Sequence, residues 1–164
     1  MKLKNALSMV LLAISSLLGF SGRRESCYNE ASTCGIHPTG MVSFIAEQAF
    51  TTRYLAVQRG LNGNGVILNS AAARPWGVCM DEPAINTGCT VALFGITPGT
   101  LRVRSAAAIF IGAKVWTGPN GKFTTAYTAG AYYCGRAVSV ALADGDIFEL
   151  AHCTPILDAA GTTV

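Results

Sequence analysis

The chain has 164 residues, 51% of them apolar and only 13% charged, with a formal net charge of +3. A body of this length buries roughly 70% of its unfolded surface, and so low a charge content excludes an ordinary polar monomer surface and points to interfaces with other subunits. Lys2, Lys4, Arg23 and Arg24 precede the first acid, Glu25, and leave eight bases against nine acids, which excludes a broad basic face for nucleic acid.

Residues 1–22, MKLKNALSMVLLAISSLLGFSG, place two lysines before an apolar run from Ala6 to Phe20 and small residues near Ser21. Two readings stand. One is a secretory signal peptide, because a run of about 15 residues is short for a membrane span. The other, preferred, is an ordered arm, helical or extended, that packs on a neighbouring subunit. Leu3, Ala6, Val10, Ile14 and Leu17 share a face at helical spacing. Leu3, Val10, Leu11, Ile14 and Leu17 are the candidate contacts. The arm and a cysteine-containing linker are assigned to residues 1–40.

Cys27, Cys34 and His37 follow in that polar linker. The two cysteines are the candidate disulfide pair. With His37 they would supply three zinc ligands, but at no common spacing and without an evident fourth. Cys79, Cys89, Cys134 and Cys153 sit in apolar, strand-like runs, where a free cysteine behaves as a small hydrophobe.

From about residue 41 the chain is all-β. RYLAVQRG, GVILNS, GCTVALFG, TLRVRSA, AKVWTG, KFTTAYT and DIFELAHC are rich in Val, Ile, Tyr, Phe and Thr and are bounded by turn residues. GVCM and GRAV open two more strands. A first β unit is assigned to 41–95 and a second, with the C-terminal tail, to 96–164, the two packed as one domain. Arg102 and Arg104 share one face of LRVRS and are candidate contacts to a partner's acids, against the default of a solvated strand face.

The two units read as one unit written twice. Gly-x-Asn-Gly occurs at 60–63 and at 118–121. At an offset of 58, Val57 meets Val115, Gly60 meets Gly118, Asn62 meets Asn120, Gly63 meets Gly121 and Gly77 meets Gly135. Beyond that an offset of 57 brings Gly88 to Gly145, Val91 to Phe148 and Leu93 to Leu150. Two copies do not make a solenoid, so the expectation is a pseudo-duplicated pair of small β-barrel or β-sandwich units. Asn-Gly is a strong hairpin signal, expected to fix strand register in each.

Catalysis finds little support. His152 and Cys153 are adjacent on a strand and point to opposite faces. A pair between His152 and another cysteine lacks a third, orienting group. Asp81-Glu82 and Asp144/Asp146 read as loop and hairpin-tip acids, and Trp76 and Trp116 as core or subunit contacts. No phosphate-binding glycine pattern opens a helix. No cofactor, metal, small-molecule substrate or specific nucleic acid is expected.

The stretch SAAAIFIGAKVWTGPNGKFTTAYTAGAYYCGRAVSVALADGDIFEL, 105–150, resembles the small capsid cement, or head-decoration, proteins of tailed bacteriophages. The matching residues are Ala106 to Ala108, Gly112, Val115, Gly121, Thr124, Thr125, Gly135, Ala137, Gly145, Asp146 and Glu149. The first unit, from AFTTRYLAVQRG to GCTVALFG, fits the same family's N-terminal half, so the resemblance spans about 43 to 154. Cys89 departs from the Asp expected there, and the arm lies outside. The resemblance implies a structural virion protein on the outer surface of the capsid, trimeric, without catalysis, that clamps adjacent major capsid proteins. The alternative is a secreted or periplasmic disulfide-containing β-domain acting as a binding module.

Overall fold

Short strands bounded by Gly, Asn, Asp and Pro dictate the architecture seen in a computed structural model, which describes residues 39–158. The arm contacts proposed at Leu3, Val10, Leu11, Ile14 and Leu17, and the Cys27, Cys34 and His37 set, lie outside the described residues. The first half contains β1 (Met41–Ala46), β2 (Leu55–Arg59), β3 (Gly65–Leu68), β4 (Gly77–Cys79) and β5 (Gly88–Leu93). These close a barrel in the order β1-β3-β2-β4-β5. The second half contains β6 (Leu101–Arg104), β7 (Lys114–Thr117), β8 (Phe123–Thr124), β9 (Tyr132–Ala137) and β10 (Ile147–Leu157). They form a five-stranded sheet ordered β6-β10-β9-β7-β8.

Both halves use one set of pairings. β2 pairs with β3 and β4 as β7 pairs with β8 and β9. β5 lies between β4 and β1 as β10 lies between β9 and β6. The parallel β1–β3 pairing that closes the barrel is reduced in the second half to a single parallel bridge, Ser105 to Phe123. The pseudo-duplicated all-β class is therefore the fold.

The register differs from the sequence reading in one respect. Val57 pairs with Gly77 and Val115 with Gly135, which is the offset of 58. Cys79 pairs with Val91 and Ala137 with Leu150, so Val91 corresponds to Leu150 rather than to Phe148. β1 and β5 thus match β6 and β10 at an offset of 59, not 57. A slide of two residues leaves every side chain on the same face, so the apolar pattern alone could not separate the two alignments. The strand expected over KFTTAYT also stops at Thr124, where the Thr124 hydroxyl accepts the Ala126 N–H at 3.0 Å and turns the chain. β1, absent from the strands expected, forms because Val42 and Phe44 face inward.

Alternation explains the core. Phe44, Val57, Val66, Cys79, Cys89 and Val91 fill the first barrel. The opposite face of β2, β4 and β5 offers Ala56, Val78 and Ala92 to the second half, where they join Val103, Val115, Phe123, Phe148 and Leu150. Small side chains there let the two sheets approach closely. Backbone bonds cross the same seam: Gly121 N–H to Asn69 O at 2.9 Å and Arg104 N–H to Tyr54 O at 3.1 Å. The Thr117 hydroxyl donates to Ala71 O at 2.6 Å. At the far end of β10, the Trp116 indole donates to the buried Asp158 carboxylate at 3.1 Å, and the Tyr127 hydroxyl donates to Asp158 O.

The four described cysteines are free. A hydrogen bond with Cys79 and burial push the Cys89 thiol up, and burial pushes Cys134 well up. Such thiols are packing groups rather than nucleophiles.

Glu47 supplies a pH test of the first barrel. Its carboxylate accepts the N–H of Asn62 at 2.7 Å and of Leu61 at 2.9 Å, bonds that hold its pKa below 4.5. A depressed acid stabilises the fold above its unfolded pKa and loses that contribution as pH falls through the folded value. The urea midpoint is therefore expected to fall more steeply for the wild type than for Glu47→Gln as pH drops from about 6 to about 3. Parallel curves would show that these bonds contribute nothing.

Candidate interaction surface

Two loops at one end of the second sheet build the surface. Residues 105–113 connect β6 to β7, and residues 138–146 connect β9 to β10. A two-way backbone bridge joins them, Ile109 N–H to Ala141 O at 2.9 Å and Ala141 N–H to Ile109 O at 3.0 Å. Gly112 N–H also donates to Ala137 O at 2.8 Å, and Arg136 Nη1 donates to Gly112 O at 2.8 Å.

The bridge sets which side chains face out. Ile109 and Ala141 point into the core, so their chain neighbours point away from it. Phe110 is 74% exposed, Ile111 68%, Leu142 79%, Val140 47% and Val138 43%. Residues 105–113 and 138–143 carry no charged side chain. A contiguous apolar patch of this kind, on the order of a few hundred Å², marks an interaction site on a soluble protein.

Acids beneath the patch serve the loops. The Asp146 carboxylate accepts the N–H groups of Leu142 and Ala143, both at 2.9 Å. Ser105 Oγ donates to Ala143 O at 2.7 Å. Asp144 pairs with Lys122 Nζ at 2.7 Å. The loop is thus held from below by satisfied backbone groups while its apolar side chains remain in solvent.

The sequence-derived arginines divide. Arg102 is exposed and stands opposite Glu149 across the ladder. Arg104 turns its guanidinium inward to the chain, donating to Arg53 O at 2.9 Å and Gly145 O at 2.6 Å. It ties the β1–β2 loop to the turn before β10. Neither arginine lies in the two uncharged loops. Those loops were within reach of sequence reasoning only as an Ala-rich stretch, since which of Ile109, Phe110 and Ile111 faces out depends on a bridge between distant segments.

The remaining polar groups are likewise engaged. Asp81 accepts the Thr90 N–H at 2.7 Å, and Glu82 lies 3.6 Å from Arg53. His152 Nδ1 accepts the Gly95 N–H at 3.1 Å, and burial lowers its pKa. Among the described residues no group of three His, Cys, Asp or Glu side chains is placed to hold a metal ion. Trp76 packs edge-on against Phe44, and Trp116 against Tyr127 and Tyr133, as core aromatics do.

The phage cement protein family model matches residues 47–152, which run through both halves and both loops. The chain belongs to this family. The crystal structure of the head fiber gp8.5 N base of bacteriophage phi29 is similar, with a TM-score of 0.55 at 21% identity, covering 72% of this chain and 98% of that one. At that identity the likeness is one of fold. None of the curated proteins matches the chain. Membership of the cement family makes this a structural, capsid-associated phage protein, in line with the resemblance of 105–150.

Proposed function

We propose that the protein decorates the outer surface of a phage capsid as a homo-oligomer, a trimer, and cements the shell by bridging adjacent major capsid subunits. The family match across both halves carries this reading. The uncharged, exposed loops 105–113 and 138–143 support it, because obligate assembly interfaces are more hydrophobic than transient ones. The mechanism is binding without catalysis: a subunit that binds the assembled shell and not the free capsid protein stabilises the shell by mass action. In this reading residues 1–40 form the arm, with Leu3, Val10, Leu11, Ile14 and Leu17 reaching a neighbour, and Arg102 contributes a rim charge. The units 41–95 and 96–164 act as one body.

Purified heads lacking the protein test the proposal. Adding the full chain back is expected to restore stoichiometric occupancy by mass spectrometry and to raise the shell's calorimetric melting temperature. Heads that bind the protein without a shift would leave decoration and remove cementing. Heads that bind none would overturn both and return attention to the secreted reading, for which the intact mass should lack about the first 20 residues.

A further inference from the structure

The duplicated fold contains its own comparison for the apolar patch. The loops of the first half that correspond to 105–113 and 138–146 are 47–54 and 80–87. These carry Glu47, Arg53, Asp81 and Glu82, and Arg53 Nε lies 3.6 Å from Glu82 Oε1 across them. The same scaffold position is therefore charged and solvated in one half and uncharged through 105–113 and 138–143 in the other. The fold does not require apolar residues there. Phe110, Ile111 and Leu142, all more than two-thirds exposed, make few demands on the core that alanine or serine would not meet.

We infer that the patch formed by Phe110, Ile111, Val138, Val140 and Leu142 is the surface by which one copy of this chain binds a second copy. The inference rests on the oligomer reading above and assigns it a place. Two physical arguments favour a second copy over the shell as the occupant. Charge depletion with aromatic and aliphatic residues characterises the core of homomeric interfaces more than of transient ones. A decoration subunit also exists in solution before it meets an assembled shell, and an uncovered apolar patch of this size invites non-specific association. The partner present at that stage is another copy. Contacts with the capsid then fall to other surfaces.

The test uses the full chain in sedimentation velocity over a concentration series, comparing wild type with Phe110→Ser/Leu142→Ser. Both side chains are mostly in solvent, so the variant is expected to keep the circular dichroism spectrum of the wild type while its self-association weakens about tenfold or more. Hydrogen exchange on the wild type supplies a second reading that needs no variant: amides near Phe110 and Leu142 should gain protection as concentration rises. A wild type that stays monomeric at every concentration overturns the oligomer reading and this inference with it. An oligomer that survives the double substitution, with no concentration-dependent protection of these loops, overturns the inference alone. An intact oligomer whose variant no longer binds heads assigns the patch to the shell and also overturns it.

Discussion

Replacing Gly135 with alanine is expected to cost about 3 kcal/mol or more, from left-handed backbone strain and overpacking together. Gly135 has a φ of +141° and pairs with His152. A Cβ there would collide with the carbonyl oxygen of Ala151, a backbone atom that cannot rotate away. Its counterpart Gly77 pairs with Leu93, and a Cβ there would collide with the carbonyl oxygen of Ala92. Ala92 and Ala151 correspond at the observed offset of 59, so the two glycines perform one task in two places: they let neighbouring strands cross at close range. Gly77 has no positive φ, so Gly77→Ala carries the collision without the backbone strain and should cost about 1–3 kcal/mol. Urea unfolding of both variants checks the order. A Gly135→Ala protein as stable as wild type would mean that β9 and β10 can separate without loss, against the register that pairs them.

That pair also shows what the sequence made legible. Gly77 and Gly135 stand at the shared offset, and turn residues mark most strand ends, because these are local demands of backbone geometry. The all-β class and the doubling follow from them. The alignment of β5 with β10 did not, since the slide of two residues keeps Val91 opposite an inward-facing position whether that is Phe148 or Leu150. The two arginines of LRVRS are equivalent by alternation. Only the fold places the carbonyls of Arg53 and Gly145 within reach of Arg104 and leaves Arg102 in solvent. The apolar loops were hidden for the same reason. In sequence, IFI at 109–111 reads as core, and it is the bridge to Ala141 that buries Ile109 and exposes Phe110.

The twin Gly-x-Asn-Gly turns give the second large effect, and they part company. Asn120 and Gly121 have φ values of 56° and 71°, the left-handed pair of a tight hairpin. Asn62 and Gly63 have no positive φ, and their hairpin is one residue longer: Gly60 N–H bonds Gly65 O, whereas Gly118 N–H bonds Lys122 O. Only the second turn touches the other half. A Cβ on Gly121 would lie 2.6 Å from the carbonyl oxygen of Ala56 on β2, whereas a Cβ on Gly63 meets nothing within 4 Å. Gly121→Ala is accordingly expected to destabilise by about 2–4 kcal/mol, from left-handed strain and displacement of the seam. Gly63→Ala should be neutral or stabilise by up to about 1 kcal/mol through the unfolded chain. Thermal unfolding distinguishes them, and the Gly121 variant should also lose hydrogen-exchange protection at its own N–H, which donates to Asn69 O across the seam. Equal effects at the two positions would mean that the turn at 118–121 does no more than its twin, and that the halves are joined by their apolar faces alone.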